Sequence, residues 1–286
     1  MMQDLSFGKL ENEFHNQQPQ PEDLVICFQN QQILLHRAED NSISFPTVAE
    51  LVPWMENWQP WFAEGLRYVF RMQDQNYFLW LGDIPEQEYG AYNFEPMRML
   101  RYKGISDLLF GAFTAWHLYI WYRNNRFCGC CGSRTVHDTA ERMLRCPDCG
   151  NMIFPRISPA VIVGVTDGDR LLLSKYANRA FTRYALIAGF TEIGETLEQT
   201  VQREVLEEVG LKVKNIRYYK SQPWGIDGNI LMGFFCDLDG DDTIHIDERE
   251  LSVGEWHHRS SGAIADDGIS LTREMMRVFS EGKEPK

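Results

Sequence analysis

At 286 residues the chain exceeds one average domain, and its apolar fraction of 44% with 13% aromatics excludes a disordered polymer and supports a sizeable core. Its 28 basic and 41 acidic residues give a formal charge of −13, which argues against avid, sequence-blind or extended nucleic-acid binding; phosphates would have to be received by metal ions rather than by a basic surface. The first fourteen residues carry acids and no apolar core, and no run approaches the roughly 18 apolar residues of a membrane helix, so a soluble, cytoplasmic protein without membrane contact is expected.

Along the first hundred or so residues short apolar runs alternate with turn formers. Leu24 to Phe28 and Gln32 to Leu35 predict a hairpin about Asn30, and Asn76 to Leu81 predicts a strand ending before Gly82-Asp83. Ala49 to Glu64, with Trp54, Trp58 and Trp61, reads as a helix whose aromatics serve the core. From Ser106 to Tyr122 the apolar residues Leu109, Ala112, Phe113, Trp116 and Ile120 recur at helical spacing behind Ser106 as N-cap. Farther on, Ala160 to Val165, an Asp167-Gly168 turn and Leu171 to Leu173 predict a strand, turn and strand. These changes of character place boundaries near 124 and 156. They delimit an N-terminal α+β domain (1–124), a cysteine segment (125–155) and a third domain (156–286).

Of seven cysteines, four form two C-x-x-C pairs, Cys128/Cys131 and Cys146/Cys149, separated by 14 residues. Two thiolate pairs on tight knuckles close a tetrahedral shell with no open position, so one structural Zn²⁺ per chain is expected in a reducing compartment. The alternative is a set of reduced, unliganded thiols. Cys27, Cys130 and Cys236 have no partner at a suitable spacing. Arg134, Arg142 and Arg145 make only a thin basic patch, so a scaffold role is expected of this segment.

The stretch Gly189-F-T-E-I-G-Glu195 continues through seven residues to Arg203-Glu204-Val205-L-Glu207-Glu208-V-Gly210-Leu211. Thr196 and Gln199 form a capping-box pair that starts a helix, and Gly210 ends it. At about 100° per residue, Leu197, Val201, Val205 and Val209 form one apolar face, with Glu204 and Glu208 at its edge and Glu207 farther round. Carboxylates beside an apolar stripe are costly without cationic compensation, and three acids within five residues repel one another. A solvated acidic face with Arg203 paired to Glu207 is the plain reading. Oxygen ligands for Mg²⁺ or Mn²⁺ are the functional one.

This stretch resembles the Nudix box, G-x5-E-x7-R-E-U-x-E-E-x-G-U with U a bulky aliphatic, at all nine fixed positions. The resemblance implies a Nudix α/β/α sandwich, so the expected class is α+β / α/β with a zinc ribbon and an N-terminal α+β domain ahead of it. It also implies that Glu204, Glu207 and Glu208 bind a catalytic Mg²⁺ or Mn²⁺ while Glu195 and Arg203 orient them. The ribbon before the box and Ser221-Gln222-Pro223-Trp224 after it resemble the NADH pyrophosphatase family. That family is a homodimer hydrolysing NADH to nicotinamide mononucleotide and AMP, with NAD⁺ and NAD-capped RNA 5′ ends as further substrates. By the same resemblance the adenine stacks on Phe190 and on a second aromatic at Phe154, Gln222 and Trp224 contact substrate, and Glu250 approaches metal and water. Asp247-Glu248-Arg249-Glu250 is the candidate source of the general base.

One departure stands out. The family's S-Q-P-W-P-F-P-x-S is here Ser221-Gln-Pro-Trp-Gly-Ile-Asp-Gly-Asn229, which exchanges two prolines and an aromatic for a freer backbone and an acid. Dinucleotide hydrolysis is therefore weighed against preference for another linked nucleoside diphosphate, such as ADP-ribose or FAD. A non-catalytic NAD- or ADP-ribose-sensing module is the third reading, and the retained box acids count against it.

Overall fold

The computed structural model describes residues 1–6, 9–52, 65–84, 88–100, 106–178, 183–261 and 268–286. The chain divides into two compact units, one of Met2–Arg156 with Gly225–Asp227, the other of Met1, Ile157–Trp224 and Gly228–Lys286.

The first unit begins with β1 (Leu24–Ile26), β2 (Phe28–Gln29), β3 (Gln32–Arg37) and β4 (Ile43–Ser44); the expected run Leu24 to Phe28 is divided at Cys27 into β1 and β2, and β4 is not among the expected strands. β2 and β3 pair antiparallel across a two-residue turn in which Asn30 and Gln31 both have positive φ, 48° and 62°. That geometry matches the right-handed twist of the flanking strands. Thr47 caps the single turn α1 (Val48–Leu51). β5 (Leu66–Met72) and β6 (Gln75–Trp80) form a second hairpin, β1 pairs parallel with β6, and β7 (Asn93–Pro96) pairs with β3. Val25, Leu34, Leu51, Phe78 and Trp80 form the core between them. The expected helix over 49–64 falls, beyond its first residues, outside the described residues, and so do Trp54, Trp58 and Trp61.

After α2 (Met97–Leu100) comes α3 (Ser106–Asn124). The helix is as expected, but it buries more than one stripe. Ala115, Leu118, Trp121 and Tyr122 are buried along with Leu109, Ala112 and Phe113, while Trp116 and Ile120 are only half-buried. A helix apolar nearly all round is one packed on several sides; Trp116, for instance, meets Phe28 edge to face at 5.1 Å. The ribbon strands β8 (Val136–His137), β9 (Leu144–Arg145) and β10 (Met152–Ile153) form a small antiparallel sheet in the order β10-β9-β8.

The second unit is built on β11 (Ser158–Asp167) and β12 (Arg170–Tyr176), joined by the Asp-Gly turn with Gly168 at φ 57°. β13 (Ile187–Phe190), α4 (Leu197–Val209), β14 (Val213–Trp224), β15 (Asn229–Leu238), β16 (Leu251–His258) and α5 (Leu271–Ser280) complete it. The mixed sheet runs β14-β15-β11-β12-β16, with β11 parallel to β15 and β13 pairing β11. β11 is buried on both faces because it alternates between two cores. Val161, Val163 and Val165 face Val201, Val205 and Val209 of α4, whereas Ile162 joins Leu271, Met275 and Phe279 of α5. Two helices covering opposite faces of one sheet make an α/β/α sandwich. Each fully buried α4 valine contributes about 1.5–3 kcal/mol over an exposed one, which fixes the rotation of the helix and so the direction of its acids.

Candidate functional site

α4 starts and stops as its sequence demands. The Thr196 hydroxyl accepts from Gln199 N at 3.2 Å, and Gln199 Oε1 accepts from Thr196 N at 2.8 Å. Gly210 closes the helix at φ 73°, a left-handed conformation that costs glycine nothing. With the valine stripe locked inward, Glu204 and Glu208 are drawn under the edge of the sheet and Glu207 points outward. Glu208 is 3% exposed, whereas the Glu207 side chain is 60% exposed.

Arg203 ties Glu195, Glu204 and Glu207 into one unit. Its Nε donates to Glu195 Oε1 at 2.7 Å, and one Nη2 bond reaches Glu195 Oε2 at 3.0 Å. The other Nη2 bond goes to the Phe190 carbonyl at 2.9 Å; Nη1 donates to Glu204 at 2.8 Å and to Glu207 at 3.0 Å. All five guanidinium donors are thus used, in a fork that lysine cannot reproduce. Glu195 also accepts from Glu192 N and from the buried Thr200 hydroxyl. Its carboxyl is pulled down to about 2, chiefly by the Arg203 hydrogen bonds. Glu204 shifts the other way: burial raises it in spite of Arg203, with Glu207 and Glu250 adding repulsion.

Gly189, at the end of β13, lies directly beneath Glu204. A Cβ there would sit 2.0 Å from the Glu204 carboxyl carbon, so the strand must carry glycine for the acid to occupy its place. The loop 241–250 runs back along the C-terminal end of α4. His245 N and Asp247 N donate to the Val209 and Glu208 carbonyls, each at 2.9 Å, and Glu250 N donates to the Asp247 carbonyl at 3.0 Å. Glu250 is thereby held two backbone hydrogen bonds from Glu208. Asp247 itself is engaged by Arg249, which holds its carboxyl down at about 2. An open groove of about 590 Å³ beside the acids is lined by Ile193, Glu195, Gln199, Arg203, Leu206 and Glu207.

Glu204, Glu207 and Glu208 offer carboxylate oxygens only, the donor type that suits a hard divalent cation; burial already disfavours the charge of Glu204 above its glycine cradle, while Glu207 stays exposed. Among the described residues their oxygens are not drawn together as closely as the four cysteine sulfurs are.

The four ribbon cysteines converge, with all four sulfurs within 4.8 Å of one another. The gaps of 3.6 Å for Cys128–Cys149 and 3.4 Å for Cys131–Cys146 suit a tetrahedron whose Zn–S bonds are about 2.3 Å. Each knuckle closes alike: Gly132 N donates to the Cys128 carbonyl and Gly150 N to that of Cys146, with the glycines at φ 80° and 74°. The backbone N–H groups of Cys130 and Cys131 draw the Cys128 thiol down to about 6, favouring the thiolate that zinc needs. Cys130 is exposed; Cys27 and Cys236 are core residues, burial pushing the Cys236 thiol up to about 12.

The expected substrate residues fare differently. Phe154 in the first unit and Phe190 in the second are exposed rings, at 52% and 54%. Trp224 is half-buried at the end of β14. Gln222 corrects its expectation. It is completely buried, donating from Nε2 to the Ile269 carbonyl at 2.7 Å and accepting from Leu271 N at 2.8 Å. Its amide anchors the start of α5, so it is an internal strut rather than a substrate contact. Within the first unit, a Cβ on Gly225 would fall 2.1 Å from the Phe113 carbonyl oxygen, which explains why proline cannot stand there. Thr200 and the Phe190 carbonyl were missed from sequence. A threonine one turn past the N-cap, on the inward side, was a usable signal for the first; a backbone carbonyl leaves none.

Residues 156–276 match the NUDIX domain family, which defines the class of the second unit and of its acid-bearing helix. Residues 123–154 match the NADH pyrophosphatase zinc ribbon domain. The chain thus carries a Nudix domain with this zinc ribbon domain directly ahead of it. It is similar to the NAD-capped RNA hydrolase NudC of Pectobacterium atrosepticum, 41% identical over 57% of this chain and 65% of that protein. The same-named proteins of Photorhabdus laumondii (39%, over 48% and 53%) and Photobacterium profundum (42%, over 54% and 58%) are comparable. The chain thus spans between about half and two thirds of the length of these curated relatives.

Proposed function

We propose that the protein hydrolyses the diphosphate bridge of NAD(H), releasing AMP and nicotinamide mononucleotide. The observation that carries this reading is the Glu195–Arg203–Glu204–Glu207 network beside buried Glu208, with Glu250 held next to it. Glu204, Glu207 and Glu208 hold the catalytic Mg²⁺ or Mn²⁺, and Glu195 acts through Arg203 to keep their carboxylates in place. When bound, such ions neutralise the diphosphate and stabilise the leaving oxygen. Glu250 accepts the proton of the attacking water; the water oxygen bonds to one phosphorus as that phosphorus loses the bridging oxygen. The exposed ring of Phe190 offers a face on which a purine stacks, and Trp224 borders the altered loop. Zinc serves the ribbon as scaffold. In this reading 1–124, 125–155 and 156–286 are the three functional segments of a cytoplasmic homodimer.

The relatives' shared name supports extending the substrate to NAD-capped RNA 5′ ends. The glycine-rich Gly225 to Asn229 loop keeps ADP-ribose or FAD as the competing substrate class. Incubating the protein with Mg²⁺ or Mn²⁺ and NADH, NAD⁺, ADP-ribose, FAD or an NAD-capped oligonucleotide, followed by chromatography, tests the reading. AMP plus mononucleotide from NADH at the best kcat/KM of the free dinucleotides is expected. Preference for ADP-ribose or FAD overturns it, and tight binding without turnover assigns a sensor instead.

A further inference from the structure

The small ribbon sheet has one face that the scaffold role does not use. Val136, Arg145 and Met152 pair directly across β8, β9 and β10, so their side chains leave the sheet on the same side. Arg134 lies two residues before Val136 and pairs with Phe127, while Phe154 lies two residues after Met152, continuing that side by the strand period. Exposure agrees with this assignment. Phe127, Val136, Met152 and Phe154 are 61%, 48%, 53% and 52% exposed, and both arginines are exposed. The opposite side carries Leu144, which is buried, and His137, whose ring meets Tyr122 at 5.2 Å.

Arg156, two residues beyond Phe154, is exposed as well. A chain of net charge −13 therefore gathers three guanidinium groups among four exposed apolar side chains on one short stretch. Among the described residues Arg134 and Arg156 have no carboxylate at ion-pair distance, and Arg145 has only Asp138, at 3.6 Å. Arg142, which a sequence count puts in the same patch, is not part of it: its guanidinium is turned inward onto the Val69 carbonyl at 2.7 Å.

Cations alternating with flat or polarisable apolar groups match a single-stranded polynucleotide, whose phosphates take the guanidiniums and whose unpaired bases lie on rings and thioethers. A paired duplex hides its bases and would leave the apolar groups in water. A second copy of this chain would be expected to meet a contiguous apolar patch rather than one divided by arginines. We propose that this ribbon face binds single-stranded RNA, namely the nucleotides that follow a capped 5′ end. The proposal rests on the reading of NAD-capped RNA as substrate, and it identifies where the polymer part of that substrate is held.

The test uses the full zinc-loaded protein without added Mg²⁺ or Mn²⁺ and a 3′-fluorescein ten-nucleotide single-stranded RNA, followed by anisotropy between 50 and 200 mM salt. Three phosphate contacts predict a slope of log K on log salt of about −2, at about −0.7 per contact. The double variant Arg134→Ala/Arg145→Ala is expected to bind about tenfold more weakly at the low-salt end, with a slope near about −0.7, while NADH turnover stays within about twofold of wild type. No binding by the wild type, or an unchanged slope in the variant, overturns the proposal. So does a change of molar mass by light scattering in the variant, which would assign the face to contact between copies. RNA binding without cleavage of NADH or of capped RNA would sink the hydrolase reading and leave the face standing; NADH cleavage without RNA binding would do the reverse.

Discussion

Replacing Gly189 by alanine should uncouple the reaction from the fold. The strand conformation there does not require glycine, so the backbone accepts alanine. The new Cβ, however, falls 2.0 Å from the carboxyl carbon and one oxygen of Glu204 and 2.3 Å from the other. Restoring an ordinary contact of 3.4 Å moves the carboxylate by about 1.4 Å from its place at 2.8 Å from Arg203 Nη1. Misplacement of a reacting or orienting group by about 1 Å costs on the order of 10²-fold in rate. Losing one half-buried, charge-assisted hydrogen bond costs about 1–2 kcal/mol of stability after screening. Steady-state hydrolysis of NADH with product chromatography, beside thermal unfolding of the same sample, reads both quantities. A fall in kcat of about 10² with a melting shift of only a few degrees is expected. A variant within threefold of wild-type kcat would refute the claim that Glu204 must lie against the bare Cα of residue 189.

Further outcomes follow from the same geometry. Arg203→Lys keeps the charge but cannot reproduce five donors in a planar fork, so kcat should fall about tenfold or more with KM changed less than threefold; a wild-type kcat would show that charge alone suffices. Cys146→Ser should lower zinc content from one atom per chain towards zero and open the 125–155 segment to protease, whereas undiminished zinc would remove that sulfur from the shell. His137 is held down at about 4, first by burial and second by the Arg67 charge. Below its unfolded value of about 6.5 the unfolded chain takes up a proton that the folded chain refuses, so this stability is present above about pH 6.5 and lost as pH falls towards 4. His137→Gln should flatten denaturant-measured stability over that window relative to wild type. An identical pH slope in the two proteins would contradict the burial argument.

The chemistry of α4 was legible because it is local. Capping by Thr196 and Gln199, arrest at Gly210 and the rotation set by Val201, Val205 and Val209 all act within one or two helical turns, and the structure reproduces each. The same holds for the two-residue turns at Asn30-Gln31 and Gly168-Asp169, where positive φ at Asn30, Gln31 and Gly168 is demanded by the turn itself. The cysteine knuckles are also local, each closed by its own glycine, and only their convergence needed the fold.

What the residues alone determined is therefore the composition of the site: which acids, which thiols and which helix presents them, since these depend on spacing along a few turns. Tertiary structure decided what depends on register between distant segments. It put Gly189 beneath Glu204, tied Glu250 to Glu208 through Asp247, turned Gln222 inward as a strut for α5, and separated Arg134 and Arg145 from Arg142 by seating two of them on one sheet face. Such contacts join residues whose separation in sequence carries no period. They are settled only when whole strands choose partners and faces under the pressure to bury the two cores.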